Sequence, residues 1–165
     1  MTDDATPPPG EDAPARAAFW RRLVAFMIDA IVIGLVAVVV FVSMGGDLPE
    51  SGEVLSPRDR SGLALSGLVV GFVYMGVLNG SPRGQTPGKI LLRIRVRDAA
   101  SDAPIGLARG LLRAGVVNGL MALLGAVPVI VDGMWALFDA QRQTFHDKAA
   151  RSVVVNVFDG ADPES

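Results

Sequence analysis

The chain has no cysteine and a single histidine, His146. The first absence excludes disulfides, thiol nucleophiles and cysteine-ligated zinc or iron–sulfur centres. The second leaves no histidine cluster for a metal, so neither a metal site nor a cofactor is expected. Charge is also sparse. Only 19% of residues are Asp, Glu, Lys or Arg, and 15 basic residues face 17 acidic ones. No basic excess points to nucleic acid. Nucleophile elbows, nucleotide fingerprints and metal motifs are missing, and Gly84-Gln85-Thr86-Pro87-Gly88-Lys89 lacks the spacing of a phosphate loop. An enzyme is therefore not expected. What the chain has in quantity is apolar sequence: half of its 165 residues are hydrophobic, and mean hydropathy is +0.42. That composition predicts an all-α integral membrane protein surrounded by lipid bilayer.

Residues 23–44 carry one charge, Asp29, and residues 62–79 carry none. At about 1.5 Å per residue these make helices of roughly 33 Å and 27 Å against a hydrocarbon core of about 30 Å, so both can cross, the second with little tilt. A third region, residues 107–138, is interrupted by Arg109, Arg113, Asn118, Asp132 and Gly125-Ala126-Val127-Pro128. It is too long for one span and too short for two, which predicts two full spans plus a bent third helical region. Arg21-Arg22 before the first run resembles the start of an export signal. The run is too long for one, however, and Val42-Ser43-Met44 is a poor cleavage site. Lys and Arg number three in residues 1–22, two in 46–61, seven in 80–113 and three in 139–165. Basic loops stay inside, so the amino terminus and the 80–113 loop are expected in the cytoplasm.

Residues 1–15 are acidic and proline-rich, with Pro7-Pro8-Pro9 as a spacer, and predict a disordered tail; residues 159–165 read alike. Between them, residues 16–158 form the membrane domain. From Leu92 to Arg97 basic and branched residues alternate, and Arg151-Ser152-Val153-Val154-Val155-Asn156-Val157-Phe158 is β-branched. Strands at about 90–97 and 151–158 predict a short cytoplasmic two-stranded β-ribbon. If they pair, the 107–138 region must enter and leave by one face, as a hairpin bent at residues 125–128; the alternative, a single kinked third span, puts the carboxyl tail outside despite Arg142, Lys148 and Arg151.

An ionised residue in a bilayer needs a partner or a role. Arg22 and Asp29 are seven apart, on one helix face but too distant for one ion pair. Arg109, Arg113 or Asn118 are the expected third groups. Asp132 and Asp147 complete the polar set. Two readings stay open: Asp29, with Asp132, binds a cation or carries a proton, or the set is a fixed polar clasp between helices. His146 beside Asp147 is either a proton relay or part of an interfacial segment, with Phe145 in the membrane surface and Lys148 reaching head groups. Trp20 and Trp135 suit interfacial anchors. Glycines four apart occur as Gly67/Gly71, Gly76/Gly80, Gly106/Gly110 and Gly115/Gly119. Gly67 and Gly71 are taken as a helix-packing face.

Three blocks carry a resemblance: Phe19-Trp20-Arg21-Arg22 through Asp29, then Thr86-Pro87-Gly88-Lys89, then Arg142-Gln143-Thr144-Phe145-His146-Asp147-Lys148. Over residues 17–157 the chain resembles the RDD family of membrane proteins, named for one arginine and two aspartates. The resemblance matches these to Arg22, Asp29 and Asp147, with a shorter third region than many relatives have. It implies a multi-pass bacterial plasma (inner) membrane protein that transports an unidentified small ion or solute. Cation/proton exchange is proposed for some members. The transport expectation makes Asp29 the acceptor, Arg22 its tuner and Asp147 the organiser of the cytoplasmic mouth. It also calls for a homo-oligomer or a partner membrane protein, because one protomer encloses little path. The alternative is a non-transporting scaffold or accessory subunit.

Overall fold

A computed structural model describes residues 15–50, 53–125, 127–139 and 142–157. The two tails expected to be disordered, apart from Ala15, lie outside them. In chain order the elements are α1 (Phe19–Ser43), α2 (Pro57–Gly80), α3 (Pro87–Leu91), β1 (Ile94–Asp98), α4 (Gly106–Leu124), α5 (Val127–Trp135), α6 (Phe145–Ala149) and β2 (Ser152–Asn156). The chain is mostly helical, with one small antiparallel sheet.

α1, α2 and α4 are each long and apolar enough to cross a membrane. The third of these helices, but for Gly106, and the short α5 lie within residues 107–138, expected as a bent region. Gly125, at φ +75°, ends α4. The 19 residues before it suffice alone, and α5 turns back to pack on α4 and α6. The bend therefore falls at the predicted glycine, but the region divides into one span-length helix and one short helix. α2 starts five residues before the predicted span. There Pro57 takes the first turn, and the Ser56 side chain accepts the Asp59 N–H at 3.1 Å.

α2 packs most extensively on α4 and next on α1. Glycine permits the closest approach. A Cβ on Gly110 would lie 2.4 Å from the Gly76 carbonyl oxygen, and one on Gly80 would lie 2.7 Å from the Leu107 Cα. At Gly67 it would meet the Ala37 Cβ at 4.0 Å, and at Gly71 the Asn118 Oδ1 at 3.6 Å, both ordinary contacts. Gly67 and Gly71 do face neighbouring helices, but the seam that demands glycine is Gly76/Gly80 against Gly110.

The strands pair with Val96 opposite Val154 and are shorter than predicted. Residues 90 and 91 belong to α3, because Thr86 caps a helical turn by accepting the Lys89 N–H at 3.4 Å. The amino-terminal segment borders the other edge of β2, where the Ala17 N–H donates to the Val154 carbonyl and the Asn156 N–H to that of Ala15. A small core of Ala17, Ala25, Ile94, Val96, Ile105 and Val154 fastens the ribbon to the helices.

The ribbon is the centre of an internal repeat with an offset of 58 residues. Gly84 and Arg142 both have positive φ. The side-chain amides of Gln85 and Gln143 donate to the carbonyls of Ile94 and Ser152 at 3.0 and 2.9 Å. Thr86 and Thr144 cap α3 and α6, and Arg93 and Arg151 close those helices in the left-handed region. The Ala99 N–H then donates to the Arg151 carbonyl, as the Val157 N–H does to that of Arg93. A two-fold axis between Val96 and Val154 relates the two units.

Candidate functional site: polar cluster at the ribbon end of the helices

Asp29 is 1% exposed and is met by donors from three places. The Tyr74 hydroxyl donates to Oδ1 at 2.9 Å, the Gly88 N–H to Oδ1 at 2.9 Å and the Thr86 hydroxyl to Oδ2 at 2.5 Å. The expected partners Arg109, Arg113 and Asn118 are not those that bind it. Asn118 instead donates to the Ala114 carbonyl of its own helix. The Asp29 carboxylate sits at the start of α3 and receives an N–H that a helix terminus leaves free. Gly88 makes this approach feasible, since a Cβ there would lie 2.2 Å from the Ala25 carbonyl oxygen.

The Arg22 side chain turns to a different carboxylate. Its Nη1 donates to Asp147 Oδ2 at 3.3 Å and to the Arg142 carbonyl at 2.7 Å, and its Nη2 to the Val154 carbonyl at 3.2 Å. Arg113 reaches the other Asp147 oxygen at 2.6 Å. Asp147, completely buried, also accepts the Thr144 N–H while Thr144 accepts that of Asp147, a reciprocal capping box. Burial alone raises the Asp147 carboxyl pKa. Arg113, His146 and Arg22 outweigh it, and with the Thr144 N–H they hold the value down to about 2.

Asp132 performs for α6 the service that Asp29 performs for α3. Its Oδ1 accepts the N–H groups of Phe145 and His146 at 2.7 and 3.3 Å, and its Oδ2 pairs with His146 Nδ1. Arg113 Nη2 lies 3.2 Å from His146 Nε2. His146 is thus locked between two partners, and its neighbours are equally placed: Phe145 stacks on Trp135 at 4.7 Å, and Lys148 pairs with Asp139.

Lys89 and Asp147 occupy equivalent positions in the two repeats. Where the Asp147 carboxylate completes a capping box, the Lys89 ammonium turns inward to Asn79 Oδ1. Burial, then Arg113, holds the Lys89 pKa well below that of a free lysine. At the ribbon's far end Arg109 joins Asp98 at 2.5 Å and donates to the carbonyls of Ala150 and Arg151.

Arg22, Arg113, Asp132 and Asp147 thus form one network with His146, while Asp29 belongs to a neighbouring one with Tyr74, Thr86 and Gly88. Helical spacing pointed to none of Asp29's partners. A recurrence does mark them in the sequence: Gln-Thr at 85–86 and 143–144, each with arginine seven residues after the threonine. Among the described residues no group of His, Asp and Glu side chains could hold a metal ion. The RDD family model matches residues 16–151. No curated protein and no solved structure matches.

Proposed function

Because the chain belongs to the RDD family, we propose that it is a multi-pass membrane protein of the scaffold or accessory type, whose Arg/Asp set serves as a clasp. In this reading α1, α2 and α4 lie in a bacterial plasma membrane, with the amino terminus and the ribbon on the cytoplasmic side. The observation that carries it is the saturation of Asp29 by Tyr74, Thr86 and Gly88. A carrier carboxylate must exchange its ligands, whereas three fixed donors hold this one against a helix terminus. Asp147 is likewise occupied by two guanidiniums and a capping box. The clasp fixes the ribbon on the helix ends. Exposed Ile31, Leu35 and Val39 on α1, with Leu123 on α4, remain for lipid, another copy or a partner membrane protein.

Purified protein in vesicles tests this against transport. Wild type and Asp29→Asn are compared for pH-gradient-driven flux over a panel of cations, and for melting temperature. The clasp reading expects no flux above empty vesicles and a lower melting temperature for Asp29→Asn. Cation flux in wild type that Asp29→Asn abolishes at unchanged melting temperature overturns it in favour of transport.

A further inference from the structure

Arginines crowd the start of α1. Arg16, Arg21 and Arg22 are close in sequence, and the return of the chain through the ribbon brings Arg142 beside them. Arg142 lines the same cavity as Arg22, whose counter-charge is Asp147. Asp147 is itself shared with Arg113, so positive charge is in excess. α1 adds to it, having no acidic residue in its first turn and no side-chain cap, so the positive end of its dipole is uncompensated.

A cavity of about 230 Å³ opens at this place, lined by Ala17, Ala18, Phe19, Arg22, Leu137 and Arg142. Arg142 is exposed, and its carbonyl is held by Arg22. The lining residue Leu137 is 54% exposed, and Trp20 and Phe138, which follow Phe19 and Leu137 in the chain, are 57% and 81% exposed. A cationic cavity beside exposed aromatic and aliphatic side chains, at the start of a 25-residue apolar helix, matches the two ends of a phospholipid.

We propose that this cavity binds the phosphodiester of an anionic phospholipid, with Arg22 and Arg142 facing the phosphate and the acyl chains lying along Trp20, Leu137 and Phe138. A free phosphate ion would satisfy the arginines but leave the apolar flank without purpose. The inference rests on the bilayer placement proposed above and not on the scaffold role, so absence of ion flux does not bear on it.

The test is native mass spectrometry of the full chain in detergent, titrated with phosphatidylglycerol and with phosphatidylcholine of the same acyl chains. Wild type, Arg142→Gln and Arg16→Gln are compared, because neither side chain belongs to the Asp147 network. Wild type is expected to retain phosphatidylglycerol in clear preference. Arg142→Gln is expected to weaken that binding by about fivefold, the effect of one interfacial cation, at unchanged melting temperature. If Arg142→Gln melts early, Arg16→Gln supplies the comparison, with a smaller loss expected. Equal retention of the two lipids, or an undiminished preference in both variants, overturns the site. Displacement of phosphatidylglycerol by millimolar inorganic phosphate overturns the lipid as its occupant.

Discussion

At the scale of single residues, the economy of the molecule is that each buried carboxylate serves a nearby helix terminus. Asp147 is the most demanding case, because two buried guanidiniums depend on it. Asp147→Asn leaves both short of their counter-charge and is expected to cost about 3–5 kcal/mol, measured by thermal or denaturant unfolding at neutral pH. The pH dependence has a definite sign. A carboxyl lowered to about 2 in the folded chain, against about 4 when unfolded, contributes stability that is complete above pH 4. That contribution is lost as pH falls from about 4 toward 2. Wild type should therefore weaken through this window, and Asp147→Asn should show a flatter acid limb. Gly88→Ala is a steric counterpart. A methyl group 2.2 Å from the Ala25 carbonyl forces α3 away from α1, with an expected loss of about 1–3 kcal/mol in the same unfolding measurement. The sequence displayed the charged residues but not their pairing. Helical spacing says which residues share a face of one helix, whereas the Asp29 donors come from a second helix and from a loop 57 residues away.

At the scale of elements, local chemistry marked boundaries better than pairings. The ribbon was legible from alternation, and the bend from Gly125. The first turn of the predicted strand at residues 90–91 became α3, because a Thr-Pro start is a stronger local signal than a branched run. The repeat about Val96 and Val154 was hidden because its halves share backbone conformation more than side chains: Lys89 answers to Asp147, and Gly88 to His146. The packing of α2 on α4 depends on atoms that are absent. Gly110→Ala places a methyl 2.4 Å from the Gly76 carbonyl oxygen and should lower the melting temperature by several degrees. Gly119→Ala, which meets no atom within 4 Å, should leave it within about a degree. Equal effects at the two positions would show that the seam lies elsewhere.

At the scale of the whole molecule, the pairing of β1 with β2 places both strands at one end of the helices, so that α4 and α5 together leave from that end and return to it. Orientation follows from the proposed bilayer placement and can be read directly, because the chain has no native cysteine to interfere. Glu50→Cys, Ala100→Cys and Ala149→Cys are exposed positions between α1 and α2, after β1, and at the end of α6. An impermeant maleimide applied to intact cells should label the first and spare the other two. Labelling of Ala149→Cys while Ala100→Cys is spared would break the ribbon apart and with it the fold.

The central claim is that Asp29 is the fixed anchor of the Thr86–Gly88 turn, and a double-mutant cycle measures that linkage directly. Asp29→Asn, Thr86→Val and the double variant are unfolded alongside wild type in one detergent. The clasp predicts that the double variant loses less than the sum of the singles, with a coupling above about 1 kcal/mol. Strict additivity would mean that the two side chains do not hold each other, and would contradict the account at its base.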